Sequence, residues 1–413
     1  MARENSTPVT GAGHLVERFQ LAGVASDDEI SALVKETGLD TAVEILTDEI
    51  VFRCDEPVNR MPVHLALEVT HGGDHRRLIF RVVRDEPVAV VTADEAGPVR
   101  RELRITAIDL IRRLFGRTDQ RKYGDLHDEF LPHRPDDLRE LPEILPATNQ
   151  ASGTLLSGCG APSLDLGKAS LAYGSDKWAS FHWYTAHYER EFARYRDEPV
   201  RVLEIGIGGY QGQLGGGSLR MWKKYFHRGT IYGLDLFDKS ALNQQRLTAL
   251  TADQGDPVAL AAIAERYGPF DIVIDDGSHE NPHVLTSFAA LFPHLRSGGL
   301  YVIEDMHTAY IPRFGGTAGP VAGPDTSVGL LKRILDDMHF QEQWPQPGAP
   351  PTVTQTQVAG VRVYRNISFI EKGANNDVCF PSWMDDEAWM ALGAIPPALD
   401  APGKPGVPER REP

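Results

Sequence analysis

Acidic side chains follow two apolar segments in the second half of the chain. Asp275 and Asp276 come after FDIVI, and Glu304 and Asp305 come after LYVI. Carboxylates held close together repel one another unless a cation neutralises them, and oxygen ligands suit Mg²⁺. The pattern predicts a metal site whose ligands are Asp276, Glu304 and Asp305. For either pair taken alone, a cap on the following helix is the alternative.

A histidine lies three residues beyond Asp276, in the predicted loop after that strand. Imidazole titrates near physiological pH, so His279 could act as a general base beside a cation that binds an alcohol. An exposed histidine without a chemical role is the alternative, and His283 is the weaker candidate for the base. Methyl transfer to a hydroxyl fits these residues, because Mg²⁺ lowers the pKa of an alcohol and orients it.

Polar residues at the ends of three earlier segments predict a nucleoside site. Glycines after the first segment let the backbone approach a ligand closely, and an acidic residue after the second can accept hydrogen bonds from ribose. For the residues after each of these segments, the alternative is an ordinary tight turn without a ligand. The glycines do not complete the GxGxxG pattern of a dinucleotide site, which favours S-adenosylmethionine (AdoMet) over NAD. The predicted residues are Glu204, Gly206, Gly208, Asp235, Asp253 and Gln254.

An open parallel sheet would bring both sets of residues together. From about residue 195, four apolar segments alternate with stretches of helical length: VRVLEIGIGG, GTIYGLDLF, PFDIVIDDGSH and SGGLYVIEDMH. This alternation is typical of βαβ units around a buried sheet, in which the strand ends face one crevice. The later segment GVRVYRNISFIEKG predicts a hairpin that turns at Arg365-Asn366. The predicted fold class is therefore α/β with an antiparallel edge.

The chain divides into four predicted parts. Residues 1–118 form a smaller α+β domain, in which SDDEISALVKETG predicts a helix and PVHLALEVTHGGDHRRLIFRVVRD predicts a hairpin. Residues 119–164 are polar and rich in proline, which indicates a linker or a partly helical connection. Residues 165–395 hold the parallel sheet, and residues 396–413 are rich in Pro and Gly, which predicts a disordered tail.

Length and charge exclude several classes of protein. A chain of 413 residues exceeds what one compact core usually holds. Its net charge of −16 disfavours general affinity for nucleic acid or anionic membranes. No apolar run reaches the roughly 18 residues of a membrane span, and no secretory signal is recognisable. The 3 cysteines form no CxxC pair. We therefore expect a cytoplasmic enzyme.

Longer segments resemble the metal- and AdoMet-dependent sugar O-methyltransferases of antibiotic biosynthesis. The resemblance is dense from about 165 to 335 and looser over the N-terminal domain. It implies a Rossmann-like class I methyltransferase domain with a family-specific N-terminal domain, AdoMet and Mg²⁺ as cofactors, and a homotetramer. The segments that carry it are GSDKWASFHWYTAHYEREF, VRVLEIGIGGY, GGGSLRMWKKYF, YGLDLFDKS, RYGPFDIVIDDGSH and SFAALFPHLRSGGLYVIEDM.

The resemblance also implies roles for single residues. By position, Asp276, Glu304 and Asp305 match the Mg²⁺ ligands of the family, and His279 matches its catalytic base. Residues 211–217 and the C-terminal tail depart from the family pattern. Ser175 and Lys177 of the GSDK motif, with Glu204, Asp235 and Gln254, fall in the AdoMet-contacting segments of the family. The full set of predicted AdoMet contacts also includes Gly206, Gly208, Asp253 and Asp275.

The expected reaction is Mg²⁺-dependent methyl transfer from AdoMet to a deoxysugar hydroxyl on a glycosylated polyketide. The 2'-hydroxyl of a rhamnose-like sugar is the predicted position. The first alternative is an enzyme of the same fold that methylates a catechol or another aromatic diol. A metal-dependent hydrolase would not need the nucleoside site, and a non-catalytic AdoMet-binding protein would not need His279.

Overall fold

A computed structural model describes residues 11–117, 126–132, 135, 138–160, 166–179, 182–209, 214–343, 350–376 and 391. The predicted disordered tail and residues 211–213 of the glycine loop lie outside this part of the chain. Within it, no helix is both long enough and apolar enough to span a membrane.

A five-stranded sheet covered by helices forms the N-terminal unit. Its strand order is β3-β2-β1-β4-β5; β1 and β4 are parallel, and the other pairs are antiparallel. The predicted hairpin is confirmed as β1 and β2. The helices are α1 (Gly11–Ala22), α2 (Asp27–Thr37), α3 (Leu39–Arg53), α4 (Ala107–Phe115) and α5 (Leu141–Gly158), and the strands are β1 (Val63–His71), β2 (Asp74–Val82), β3 (Ala89–Val91), β4 (Val99–Thr106) and β5 (Leu126–Phe130).

Two elements of this unit lie within the segment that the sequence predicts to be a linker, 119–164. Strand β5 pairs with β4, and helix α5 buries Ala147, Ala151 and Leu155 in the same apolar core as helices α3 and α4. Burial of an apolar helix face stabilises the unit to which it belongs. We therefore propose that the N-terminal unit extends to Cys159, which is buried in that core.

A seven-stranded sheet forms the centre of the C-terminal unit, in the order β10-β9-β8-β11-β12-β14-β13. The first five strands are parallel, and β14 and β13 add an antiparallel hairpin at the edge. The predicted α/β fold and its edge hairpin are confirmed. The strands are β8 (Arg201–Ile205), β9 (Thr230–Asp235), β10 (Leu247–Thr251), β11 (Phe270–Asp275), β12 (Leu295–Ile303), β13 (Val358–Tyr364) and β14 (Ile367–Lys372).

Helices cover this sheet, and a short hairpin lies before it. The hairpin consists of β6 (Trp178–Ala179) and β7 (His182–Trp183). The helices are α6 (Leu166–Tyr173), α7 (Thr185–Phe192), α8 (Gly217–Tyr225), α9 (Pro257–Tyr267), α10 (Asn281–Leu291), α11 (Ser327–Met338) and α12 (Val353–Gln357).

Strand register determines which residues meet at the carboxyl edge of the sheet. Asp275 at the end of β11 pairs with Ile205 of β8 on one side and with Ile303 of β12 on the other. The next residues of these strands therefore lie side by side. Gly206 has a φ of 90°, and a Cβ atom there would lie 2.0 Å from the carbonyl oxygen of Asp276. Only glycine allows this close approach.

Buried charged side chains join the two units. We call Glu49, Arg53, Lys223 and Arg246 the junction cluster. Arg53 Nε donates to Glu49 Oε1 at 2.8 Å, and Arg246 Nε donates to Glu49 Oε2 at 2.7 Å. Arg53 Nη2 also donates to the carbonyl of His227 at 2.7 Å. Burial raises the pKa of Glu49, but the adjacent guanidinium groups of Arg246 and Arg53 outweigh burial and leave the net pKa lowered.

Candidate active site

A cleft of about 700 Å³ lies at the carboxyl edge of the parallel strands. This is where ligands bind in open α/β sheets. The structure places most of the predicted site residues along its wall, from the ends of the five parallel strands and from the GSDK segment. The predicted residues that line the cleft are Ser175, Gly206, Gly208, Asp235, Asp253, Gln254, Asp276, His279 and Asp305.

Asp235 and Asp253 lie at the end of the cleft formed by β9 and β10. Asp235 Oδ2 accepts from the backbone N–H of Ile207 at 3.1 Å, which fixes the carboxylate beside the glycine turn. Asp253 Oδ1 accepts from the N–H of Gly255 at 2.8 Å. Leu236 and Phe237 line the same end and are 61% and 40% exposed. The pattern of polar residues does not indicate this apolar pair, but its position directly after Asp235 at a strand end is a signal for it.

Hydrogen bonds of Gln254 and Asp275 connect the ends of strands β10 and β11 at the base of the cleft. Gln254 Nε2 donates to Asp275 Oδ1 at 2.7 Å, and Gln254 Oε1 accepts from the N–H of Ser278 at 3.0 Å. Tyr301 donates to Asp275 Oδ2 at 3.0 Å, and Ser287 donates to the same oxygen. Burial raises the pKa of Asp275 to about 6. The Asp275 carboxylate therefore lies behind the cleft wall, where it positions the loop after β11.

Lys177 lies inside a group of three carboxylates rather than on the cleft wall. Its Nζ donates to Glu304 Oε1 at 2.6 Å and to Asp276 Oδ2 at 2.7 Å, and lies 3.2 Å from Glu204 Oε1. Ser218 donates to the other oxygen of Glu204 at 2.8 Å. We call Lys177, Glu204, Asp276 and Glu304 the site cluster. Sequence spacing gave no sign of this cluster, because Lys177 lies 127 residues from Glu304.

Negative charge exceeds positive charge in the site cluster. Burial lowers the pKa of Lys177, but the three carboxylates outweigh burial and raise its net pKa well above the usual value. Burial, together with the charge of Asp276, raises the pKa of Glu304 well above its usual range. Burial also raises the pKa of Asp276, although Lys177 opposes this. One ammonium does not balance these carboxylates, so the region favours a further cation.

Each predicted metal ligand has one oxygen held by the protein. Glu304 Oε1 accepts from Lys177 and Tyr188, and Asp276 Oδ2 accepts from Lys177. Asp305 Oδ1 accepts from Tyr184 at 2.7 Å and from Asn366 at 3.0 Å. The second oxygen of each carboxylate accepts no hydrogen bond from the described residues. Asp276 belongs to two groups of potential ligand atoms that lie within 4.8 Å of one another, one with Glu204 and Glu304 and one with His279 and Asp305, so among the described residues it links Glu304 to Asp305. Carboxylate oxygens oriented in this way are the ligands that suit Mg²⁺.

His279 lies beside this donor set. Its Nε2 is 3.5 Å from Asp305 Oδ2, and its side chain is 27% exposed at the cleft. Potential ligand atoms of Asp276, His279 and Asp305 all lie within 4.8 Å of one another. His279 has a φ of 57°, which histidine tolerates better than most residues and which supports a functional constraint. The imidazole is therefore placed to exchange a proton with a molecule in the cleft.

Comparison with known proteins gives close relatives over most of the chain. The family described as MycE methyltransferase N-terminal matches residues 16–124. Demethylmacrocin O-methyltransferase from Streptomyces fradiae is 45% identical over 92% of this chain and 97% of its own length. Mycinamicin VI 2''-O-methyltransferase from Micromonospora griseorubida is 46% identical over 88% of this chain and 92% of its own length.

A solved structure also matches both units together. It is the MycE methyltransferase of the mycinamycin pathway in complex with Mg, SAH and mycinamycin VI, with 43% identity and a TM-score of 0.86. The match covers 92% of this chain and 99% of that chain. It confirms the expected class I methyltransferase fold with a smaller N-terminal α+β domain. This chain belongs to the metal- and AdoMet-dependent sugar O-methyltransferases of antibiotic biosynthesis.

Proposed function

We propose that this enzyme transfers a methyl group from AdoMet to a sugar hydroxyl of a glycosylated polyketide, with Mg²⁺ held by Asp276, Glu304 and Asp305. The observation that carries this proposal is the arrangement of these carboxylates: described residues donate to one oxygen of each, and none of the described residues donates to the other. His279 lies 3.5 Å from the second oxygen of Asp305, so its imidazole adjoins the same donor set. When bound, Mg²⁺ supplies Lewis-acid stabilisation of charge on the acceptor hydroxyl.

We propose that His279 is the general base. Its Nε2 accepts the hydroxyl proton while the oxygen forms a bond to the methyl carbon of AdoMet and the bond from that carbon to sulfur breaks. The products are the methyl ether, S-adenosylhomocysteine and a proton on His279. Asp305 Oδ2, at 3.5 Å, stabilises the resulting imidazolium. The ring is 27% exposed, and this access to solvent provides the route by which the proton leaves.

The other end of the cleft suits the nucleoside of AdoMet. We propose that Asp235 accepts from the ribose hydroxyls, that Asp253 meets the adenine edge, and that Leu236 and Phe237 contact the adenine ring. Gly206, Gly208 and Ser175 then border the methionine part of the cofactor. The side chains of Lys177, Glu204 and Asp275 are engaged by neighbouring side chains, and we propose that they support the binding surface from behind, whereas Gln254 forms part of that surface.

We propose the 2'-hydroxyl of a rhamnose-like sugar as the acceptor. Support comes from the relative of 46% identity, which is named for the 2'' oxygen of its substrate. A relative of 40% identity is named for a 3'-oxygen of a methoxyrhamnosyl tetracenomycin, so the position needs a direct test. Mass spectrometry and NMR of products from rhamnosylated polyketides incubated with AdoMet would assign it. Methylation of aromatic diols alone would contradict the sugar as acceptor.

The mechanism predicts a large loss of turnover in His279→Ala. Loss of a general base lowers turnover by roughly 10²–10⁴-fold, while AdoMet affinity should change little. His339→Ala is the matched control, because His339 is 75% exposed beyond helix α11. Turnover is measured with and without EDTA and then with added Mg²⁺. Unchanged turnover in His279→Ala would exclude this residue as the base, and full activity in EDTA would exclude the metal.

We also propose that the enzyme acts as a cytoplasmic homotetramer. This rests on the resemblance to the family rather than on a described contact between subunits. Sedimentation velocity would test it, because a tetramer has four times the 45.6 kDa mass of the chain.

A further inference from the structure

An asparagine at the turn of the edge hairpin contacts the predicted metal centre. Asn366 Nδ2 donates to Asp305 Oδ1 at 3.0 Å and to the hydroxyl of Tyr184 at 2.6 Å. Asn366 Oδ1 accepts from the backbone N–H of His307 at 2.7 Å, and its carbonyl accepts from the N–H of Met306 at 3.3 Å. The side chain and backbone of Asn366 thus form hydrogen bonds with three consecutive residues, Asp305, Met306 and His307.

The register of the sheet places this asparagine opposite Asp305. Ile303 at the end of β12 pairs with Ser368 of the antiparallel strand β14. Two residues further along β12 and two residues back along β14 bring Asp305 and Asn366 face to face. The antiparallel edge of the sheet therefore supplies a contact to a site that is otherwise built from parallel strand ends and the segment around Lys177.

Both residues have left-handed backbone conformations, with φ values of 51° for Asp305 and 68° for Asn366. Residues other than glycine hold such conformations only where their surroundings fix them. Here the side chain of Asn366 and the hydroxyl of Tyr184 both donate to Asp305 Oδ1. The carboxylate cannot rotate without losing both hydrogen bonds. Its Oδ2 is consequently directed towards His279, 3.5 Å away.

We infer that Asn366 is a positioning residue for the metal ligand Asp305 and, through it, for His279. This inference rests on the proposed function, in which Asp305 Oδ2 binds Mg²⁺. Residues that orient metal ligands change metal affinity without contacting the metal. Asn366 therefore affects the binding of the divalent ion, whereas AdoMet binding at the ends of β8, β9 and β10 does not depend on it.

The test measures Mn²⁺ binding by EPR and its displacement by Mg²⁺, with the full-length chain and without acceptor. Asn366→Gly keeps a residue suited to the positive φ and removes the donor. We expect its Mn²⁺ dissociation constant to rise by about 10–100-fold. The AdoMet dissociation constant should stay within about twofold. Arg365→Ala is the matched control, because Arg365 is exposed in the same turn.

Activity gives a second measurement. In Asn366→Gly the Mg²⁺ concentration for half-maximal activity should rise by a similar factor, while turnover at saturating Mg²⁺ recovers to within a few-fold of wild type. A general weakening of the fold would instead lower turnover at every Mg²⁺ concentration and would also weaken AdoMet binding. If Asn366→Gly does not fold, the same measurements are made on Asn366→Ser. Serine is also a polar turn residue, but its shorter side chain cannot reach Asp305.

Asp305→Asn separates failure of this inference from failure of the proposed function. If Asp305→Asn binds Mn²⁺ as wild type does, the proposed metal site is wrong. If Asp305→Asn loses Mn²⁺ but both Asn366 variants bind it with wild-type affinity, the metal site stands and the positioning role of Asn366 is overturned. Tyr184→Phe removes the other donor to Asp305 Oδ1 and should also weaken Mn²⁺ binding.

Discussion

Two buried clusters of charge in this enzyme have opposite balances. In the junction cluster, Glu49 lies between the guanidinium groups of Arg53 and Arg246, and the pKa of the carboxyl is lowered despite its burial. In the site cluster, one ammonium serves three carboxylates, and burial raises the pKa of Glu304 well above its usual range. Solvent hardly reaches the side chains of either cluster except that of Asp276, which is 19% exposed at the cleft.

The difference separates a structural cluster from one that can bind a ligand. At the junction, both oxygens of Glu49 accept from arginine, and the arginines also donate to backbone carbonyls of the other unit or their own. No carboxylate oxygen is left for a cation. In the site cluster, Asp276 and Glu304 each keep an oxygen that accepts no hydrogen bond from the described residues, and the charge surplus is negative. That surplus costs stability unless a cation or a proton offsets it.

The largest effect is expected at the junction, in Glu49→Gln. This substitution leaves two buried guanidinium groups without their anion, and arginine cannot release its proton to escape the cost. We expect the free energy of unfolding to fall by about 3–5 kcal/mol in urea titrations. Glu36→Gln is the matched control, because Glu36 pairs with Arg18 at the surface, and its loss should have little effect. An equal loss in both variants would contradict the distinction between buried and exposed pairs.

A smaller loss of stability is expected for Lys177→Met in the site cluster. The carboxylates that remain can take up protons, so we expect the free energy of unfolding to fall by only about 1–3 kcal/mol at neutral pH. The pKa of Glu304 in the folded enzyme is already raised. The folded state therefore binds more protons than the unfolded state above the usual Glu pKa. Stability should fall as pH rises through this range, more steeply than in wild type.

The effect of Mg²⁺ on thermal stability should differ between the two clusters. The divalent ion should raise the melting temperature of Lys177→Met more than that of wild type, because it then offsets the larger negative surplus. It should leave the stability deficit of Glu49→Gln unchanged. Differential scanning fluorimetry over a Mg²⁺ series measures both. Equal shifts in the two variants would contradict the assignment of the charge surplus to the site cluster.

The site residues at strand ends could be predicted from sequence, because their position depends only on the apolar segment that directly precedes them. Each apolar segment that enters a parallel sheet delivers its next residues to the same edge, so Asp235, Asp276 and Asp305 follow from position alone. The contacts of Lys177 and Asn366 could not be predicted this way. They depend on hairpin placement and on antiparallel register, which a single sequence leaves open.

Helix α5 falls in a segment for which the sequence leaves a linker and a partly helical connection open, and the reason differs from that for Lys177 and Asn366. The polar, proline-containing composition of 119–164 indicates a linker, and Pro146 lies inside the helix. Yet Ala147, Ala151 and Leu155 recur every four residues and form its buried face. That helical spacing was the available signal, and average composition concealed it. Tertiary packing then stabilises a helix whose intrinsic propensity is low.

The smallest effect is expected for Lys223→Met, and it directly compares the lysine of the junction cluster with Lys177 of the site cluster. Burial, together with Arg246 and Arg53, lowers the pKa of Lys223 to about 7, although Glu49 opposes this. The lysine is therefore largely neutral in the folded enzyme at pH 8. Replacing it with an apolar side chain of similar length should cost less than about 1 kcal/mol there. What is lost is a hydrogen bond of 3.2 Å to Gln244 and the contact with the Phe52 ring.

The pH dependence of stability tests the state of Lys223. Because its folded pKa is lowered, this lysine contributes stability that is complete above the usual lysine pKa and is lost as pH falls through about 7. Lys223→Met should remove that contribution, so its free energy of unfolding should rise less than that of wild type between about pH 7 and pH 9. Identical pH profiles would mean that Lys223 stays charged in the folded state, like Lys177. The junction would then tolerate three adjacent cations around Glu49, and its contrast with the site cluster would rest on geometry rather than on protonation.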